Sequence, residues 1–198
     1  MTAITVFVET LAGKAVDYGV SDARTVPASS ILIEERFAAM CETPRCPGYG
    51  RSANCPPHSM KPAEFRELLK HYEYALVFKI DVPTAVLLTD DRHAVARLVH
   101  ETASRLERLA VESGYPDSRA LAAGSCRRLF CSDYDHCPAL EADGACRFPD
   151  SARPSVSGAG INFFDLSKAI GWHIDRITSE SDPENTPMGM LAGIVLVG

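Results

Sequence analysis

The sequence predicts an α/β fold, with a mixed α+β arrangement as the alternative. We expect a single sheet with flanking helices and two long cysteine-rich, metal-binding loops. Apolar runs typical of strands alternate with amphipathic runs typical of helices. A strand–helix–strand pattern over 74–124 indicates a crossover between two strands of one sheet. No linker or internal repeat divides the 198 residues, so one domain is predicted over 1–198.

The individual elements follow from local patterns. Strands are predicted at 3–9, 74–81, 118–124 and 188–197. Helices are predicted at 29–40, 62–72, 90–113 and 163–171, with a further helical turn near 138–141. Ser29 or Ser30 would cap the first helix, Pro62 would open the second, and Gly114 would end the longest one. The last strand is apolar throughout, which predicts an interior position in the sheet.

Composition and charge limit the classes of function. The chain is 46% hydrophobic and 23% charged, so it can build a core without disulfides. A net charge of −6 argues against broad binding of nucleic acid or of an anionic membrane. We find no apolar run long enough to span a bilayer and no secretory leader, so the expected location is the cytoplasm.

The seven cysteines fall into two groups, three within 41–58 and four within 126–160, and none lies elsewhere. They are Cys41, Cys46, Cys55, Cys126, Cys131, Cys137 and Cys146. An odd number of cysteines in a reducing compartment argues against a disulfide framework. Both groups lie in stretches rich in glycine, proline and polar residues, whereas buried structural cysteines usually lie among apolar residues. All seven are therefore predicted to bind a metal or a metal cofactor.

The second group has the spacing C-x4-C-x5-C-x8-C, and Pro138 follows its third cysteine. Four thiolates in one loop fit either tetrahedral zinc or an iron–sulfur cluster. Structural zinc sites usually use two short cysteine pairs, whereas a [4Fe–4S] cluster spreads its ligands more widely. The spacing favours a closed [4Fe–4S] centre, with zinc as the alternative.

The first group reads C-x4-C-x8-C-P-P-H and has three cysteines. It could hold a [4Fe–4S] cluster with one open iron. It could also hold a site that His58 or another ligand completes. The third possibility is that only some of the three cysteines bind the metal. An open iron would offer a substrate a Lewis-acidic position. The candidate catalytic residues beside the two groups are His58, Tyr49 and Arg153. Arginines flanking the second group would offset thiolate charge or bind an anionic substrate.

Several motifs resemble those of a prokaryotic family of predicted metal-binding proteins of unknown function. They are the C-x4-C-x8-C-P-P signature, the four later cysteines, C-R-x-P at Cys146–Pro149, and R-P-S at Arg153–Ser155 leading to Gly160-Ile161. The similarity extends from about residue 26 to the end of the chain. It implies binding of a metal or cluster and implies no particular reaction.

Three functions remain open at this point. The first is an iron–sulfur enzyme acting on a small-molecule substrate by sulfur transfer or removal, reductive cleavage or dehydration. The second is an electron carrier with two clusters that docks on a redox partner protein. The third is a zinc protein with a structural or regulatory metal. The extensive α/β core favours the enzyme, because a minimal carrier needs far fewer residues.

Overall fold

The computed structural model describes residues 2–198, which form seven α-helices and one four-stranded sheet. The helices are α1 (Ala3–Asp17), α2 (Glu35–Ala39), α3 (Pro62–Leu69), α4 (Thr84–Leu87), α5 (Arg92–Glu112), α6 (Cys126–Phe130) and α7 (Phe163–Ala169). The strands are β1 (Asp22–Pro27), β2 (Tyr74–Pro83), β3 (Arg119–Ala122) and β4 (Met188–Val197). Short 3-10 turns cover Ala28–Ser30 and Pro138–Leu140.

The sheet has the strand order β1-β2-β4-β3, and every neighbouring pair is antiparallel. Because β2 and β3 both pair with β4, they run parallel to each other, and α5 connects them. The predicted crossover within one sheet is therefore confirmed, with β4 inserted between its two strands. The predicted interior position of β4 is also confirmed.

Hydrophobic layers cover both faces of the sheet. On one face, α1 and α5 pack against Leu76, Phe78 and Val195. On the other face, α3, α7 and the segment before α7 pack against Val77 and Ile194. Alternate residues of β2 thus enter different layers, which explains why this strand is apolar on both sides.

The N-terminal prediction was wrong, because residues 3–9 belong to helix α1 and not to a strand. The β-branched residues in this run favour a strand locally. However, Ile4, Val8, Leu11 and Ala15 are buried on one side of α1, and this spacing is helical. Burial of that stripe against the sheet outweighs the local preference. Strand β1, which follows, is short, has Ala23 and Val26 as its buried positions, and was not predicted.

The helix predicted at 29–40 is interrupted. Ile33 forms an isolated antiparallel bridge with Ile161, and the Glu34 amide donates to the Gly160 carbonyl over 2.7 Å. This pairing keeps the chain extended until α2 begins at Glu35. The segment at 126–160, predicted to be mostly loop with a helical turn near 138–141, opens with the short helix α6 and has its 3-10 turn at Pro138–Leu140. Among residues 2–198, no helix combines the length and apolar character needed to cross a membrane.

Candidate metal centre

The first cysteine group lies in a series of turns between α2 and α3. The Cys46 amide donates to the Cys41 carbonyl over 2.9 Å, so these two residues close one turn. Burial is the main cause that raises the pKa of the Cys41 thiol, and the neighbouring Cys46 and Cys55 raise it further. Cys41 therefore lies near both of the other cysteines in its group.

Gly48 allows the first group to approach the second segment closely. A Cβ at this position would lie 2.6 Å from both Cβ and Oγ of Ser125, so a larger residue would force the segments apart. Sγ of the buried Cys55 donates to Oγ of Ser125 over 3.3 Å. The two cysteine segments therefore meet at Ser125, immediately before Cys126.

The four later cysteines surround one cavity of about 100 Å³. Cys126 lies on α6 and Cys131 directly follows that helix. Cys137 precedes the 3-10 turn at Pro138–Leu140. The wall of the cavity is completed by residues of the first segment, namely Ser52, Ala53 and Asn54. The structure thus brings the second group together, and a part of the first segment closes the same space.

Hydrogen-bond donors point at several sulfur atoms. The Gly48 amide lies 3.4 Å from Sγ of Cys46, and the Phe148 amide lies 3.4 Å from Sγ of Cys146. In both cases the donor comes two residues after the cysteine. Such N–H donors favour the charged thiolate over the thiol, and hydrogen bonds to sulfur tune metal–thiolate centres.

The pKa of the buried Cys126 thiol is strongly raised. Burial raises its pKa to about 11, although hydrogen bonds with Asn54 and Ser52 act in the opposite direction. This thiol is therefore protonated near neutral pH in the metal-free protein. A metal that binds there must displace the proton, so that metal binding and proton release are linked.

Two arginines offset charge at the second group. Burial is the largest influence on the Cys131 thiol and raises its pKa, while the nearby charges of Arg127 and Arg147 lower it. Arg127 is buried and donates to the carbonyl of Tyr134. Arg147 donates to the His136 carbonyl over 2.8 Å and its guanidinium lies 4.3 Å from the Tyr134 ring centre. Both arginines therefore also hold the loop in place.

The three candidate catalytic residues lie in different surroundings. His58 is exposed, and its backbone amide closes a turn onto the Cys55 carbonyl. Tyr49 is half-buried, with the Arg45 guanidinium 5.6 Å from its ring centre. Arg153 is buried and forms an ion pair with Glu107 of α5. The Arg153 guanidinium thus binds a carboxylate and not the cysteine groups.

Within residues 2–198, no three His, Cys, Asp or Glu side chains lie close enough together to hold a metal ion as they stand. The sulfurs of the second group enclose a cavity and do not converge on one point. Sequence reasoning missed the partners Ser52, Asn54 and Ser125. Asn54 and Ser125 each directly precede a cysteine, which is the one local signal that could have indicated them.

One of the comparisons with known proteins found a match. Neither a curated protein nor a solved structure matches the chain at a significant level. A family model described as "Predicted metal-binding protein (DUF2284)" matches residues 24–197, a range that includes all seven cysteines. Because this match covers most of the chain, the protein belongs to the DUF2284 family of predicted metal-binding proteins.

Proposed function

We propose that this protein is an iron–sulfur protein with two adjacent centres. Four cysteines would hold a closed [4Fe–4S] cluster, and three would hold a second cluster with one iron not bound by cysteine. The closed set is Cys126, Cys131, Cys137 and Cys146. The open set is Cys41, Cys46 and Cys55. The single observation that carries this proposal is the common cavity enclosed by the four later cysteines.

The donor set fits such groups. All seven cysteines are free thiols, and thiolates are the usual ligands of iron–sulfur clusters. A space of about 100 Å³ among four thiols exceeds what one water-sized group occupies, about 10–15 Å³ on the same measure. Its size supports a group of several atoms in preference to a single zinc ion.

The contact between the two cysteine groups supports a shared function. Asn54 and Cys55 of the first segment contact Cys126 and Ser125 of the second at 3.5 and 3.3 Å, respectively. When bound, an open cluster supplies a Lewis-acidic iron for substrate and a closed cluster supplies one-electron transfer. The chain would hold the two cysteine segments together and donate hydrogen bonds to the cysteine ligands. Arg127 and Arg147 would offset the charge of the thiolates.

We favour an enzyme that acts on a small molecule over an electron carrier. An open position is typical of catalytic metal sites, whereas structural sites are closed. Residues near the first group that could meet a substrate are the exposed His58 and the half-buried Tyr49. A carrier would instead need to transfer electrons to a separate redox protein, which remains the alternative.

The test is anaerobic purification of the full chain, with iron, acid-labile sulfide and zinc measured per chain. We expect about eight iron and about eight sulfide, the content of two [4Fe–4S] clusters. A content of one or two zinc ions without sulfide would overturn the proposal. About four iron would retain the closed centre and reject the second cluster.

An electron paramagnetic resonance spectrum of the same reduced sample distinguishes enzyme from carrier. If one iron is open, addition of cyanide should change part of the cluster signal. A signal that cyanide leaves unchanged would contradict the open iron and favour the carrier. The closed centre serves as the internal control, because its part of the signal should stay constant.

A further inference from the structure

A cavity of about 380 Å³ lies beside the cysteine groups and contains none of the cysteines in its lining. It lies between α3, α5, β3 and the segment that follows Cys55. Its apolar lining includes Met60, Phe65, Leu68 and Leu121. The volume falls within the range of ordinary small-molecule sites, which are mostly apolar with a few placed polar groups.

Its polar groups are few and oppositely charged. Glu107 and Arg153 form a buried ion pair in the wall, with side-chain exposures of 16% and 10%. Two further polar atoms of the lining, Nε of Arg153 and Oγ of Ser59, are buried and have no hydrogen-bond partner within residues 2–198. Buried polar atoms without a partner are uncommon in folded proteins, and a bound water or ion is one of the explanations for them.

Arg119 adds an exposed guanidinium to the same lining. Over the part of the chain that the structure describes, Arg119 forms no ion pair. The lining therefore carries two guanidinium groups and one carboxylate, and Glu107 already neutralises Arg153. The remaining positive charge belongs to Arg119. Its planar donors suit a carboxylate, which a guanidinium can bind through two hydrogen bonds.

The position of the cavity relates it to the cysteine groups. Ala53 lines both this cavity and the cavity of the four cysteines. The adjacent Asn54 carbonyl accepts a hydrogen bond from the Ser155 amide over 3.1 Å, and Ser155 also lines the larger cavity. A molecule held here would lie next to the segment that carries Cys55.

We propose that this cavity is a binding site for a small organic acid. The carboxylate would pair with Arg119, and the apolar body would lie on Met60, Phe65 and Leu68. The Glu107–Arg153 pair would form the polar end of the wall. The proposal goes beyond the iron–sulfur function and stands without it, because no cysteine takes part in the binding.

The experiment is isothermal titration calorimetry on the full chain, purified anaerobically. It measures the affinity for three carboxylic acids of increasing size and for the amide of each acid. The acids are hexanoate, phenylacetate and 1-naphthaleneacetate. We expect at least one acid to bind about tenfold or more tightly than its amide, the difference that one charge-assisted hydrogen bond supplies. If every acid binds no better than its amide, or if inorganic phosphate binds as tightly as the best acid, the proposal is wrong.

Two variants locate the site. Arg119→Gln should weaken binding of the best acid about tenfold or more and leave its amide unaffected. The control is Arg108→Gln, which removes another exposed arginine, on α5 and outside the lining. Equal losses in both variants would show a general charge effect and overturn the assignment.

A third variant tests the apolar part. Met60 lines the cavity and is 36% exposed, so a larger side chain in Met60→Trp should occupy part of the cavity. It should weaken the acid and the amide alike. Unchanged affinity of both ligands would place them outside this cavity. Metal content, measured on each sample, distinguishes failure here from failure of the iron–sulfur proposal.

Discussion

The side chain of Asn54 donates a hydrogen bond from Nδ2 to Sγ of Cys126 over 3.5 Å, across 72 residues of sequence. This contact makes the first cysteine segment a part of the second cysteine cavity. It also explains how two groups that are distant in sequence become neighbours. A polar side chain that orients or stabilises a ligand affects the affinity of the whole centre.

Replacement of Asn54 should therefore weaken metal binding. In Asn54→Ala the Cys126 sulfur loses the Asn54 donor and retains Ser52 as a side-chain partner, and we expect an affinity about 10- to 100-fold lower. The measurement is metal retained per chain during titration with a chelator under anaerobic conditions. Asn185→Ala is the matched control, because the Asn185 side chain donates to Asp182 in an exposed turn away from the cysteines. Equal retention in both variants would contradict the role of Asn54.

The two cysteine groups should differ in their effect on stability. Cys137 lines the four-cysteine cavity, and its loop has little regular structure besides one 3-10 turn. Because metal binding contributes directly to folding in such loops, Cys137→Ala should lose the closed centre and unfold at a markedly lower temperature. Metal analysis and thermal unfolding together check this. Wild-type stability with full metal content would refute it.

Cys55→Ala is the companion variant. Cys55 is buried in turns that are already joined to Ser125 and to the rest of the fold by hydrogen bonds. We expect it to lose the metal of the first group while the unfolding temperature falls much less than in Cys137→Ala. Complete unfolding of Cys55→Ala would mean that both centres are structural.

The parts of the fold that could be predicted are those where local patterns and tertiary burial agree. Helix α5 has a long apolar stripe and ends before Gly114, whose φ of +100° suits glycine. Strand β4 is apolar throughout and lies in the sheet interior. Helix α1 could not be assigned by local preference, because its β-branched residues favour a strand and only burial against the sheet decides the outcome.

In the candidate site, too, the features that could be predicted are those that local sequence patterns carry. The clustering of cysteines indicated both groups, since ligand type and spacing are local properties. The Asn54–Cys126 contact and the Glu107–Arg153 pair depend on how distant segments pack, so no local pattern carries them. Arg153 was named as a candidate catalytic residue from its position in the sequence, and its ion pair with Glu107 of α5 is one of the contacts that no local pattern indicates.

Removal of one partner of the Glu107–Arg153 ion pair should lower the stability of the protein strongly. Arg153 is 8% exposed. In Glu107→Ala its buried guanidinium would be left without a carboxylate partner. We expect a loss of about 3–5 kcal/mol in the free energy of unfolding, as for other broken buried pairs. Chemical denaturation measures it. The double variant Glu107→Leu with Arg153→Met should recover the part of the loss that comes from the unpaired charge. It should not recover the part that comes from the Ala120 amide, which donates to Oε1 of Glu107 over 2.7 Å in the wild type.

The surface pair Arg97–Glu101 provides the control for that measurement. Its atoms are 3.0 Å apart, but the side chains are 50% and 42% exposed. Glu101→Ala should therefore cost less than about 1 kcal/mol. A similar cost for Glu101→Ala and Glu107→Ala would show that burial does not determine the strength of the Glu107–Arg153 interaction.

His100 should make the protein less stable in mild acid. Its ring is fully buried in α5, and Nδ1 accepts a hydrogen bond from the Arg153 amide over 3.1 Å. Burial, and then the charge of Arg153, lower its pKa from the ordinary 6.5 to about 4. The unfolded chain thus takes up a proton below pH 6.5 that the folded chain does not, and stability is lost as the pH falls from 6.5 to 4.

The size of this loss follows from linkage. A single proton changes the free energy of unfolding by up to about 1.4 kcal/mol per pH unit, so the window contributes about 3 kcal/mol. His100→Asn keeps an acceptor for the Arg153 amide but cannot take up a proton. Denaturation curves between pH 7 and 4 should therefore fall less steeply for this variant than for wild type. The exposed His71 is the control, and His71→Asn should keep the wild-type slope. Equal slopes in all three proteins would show that His100 is not the group that titrates.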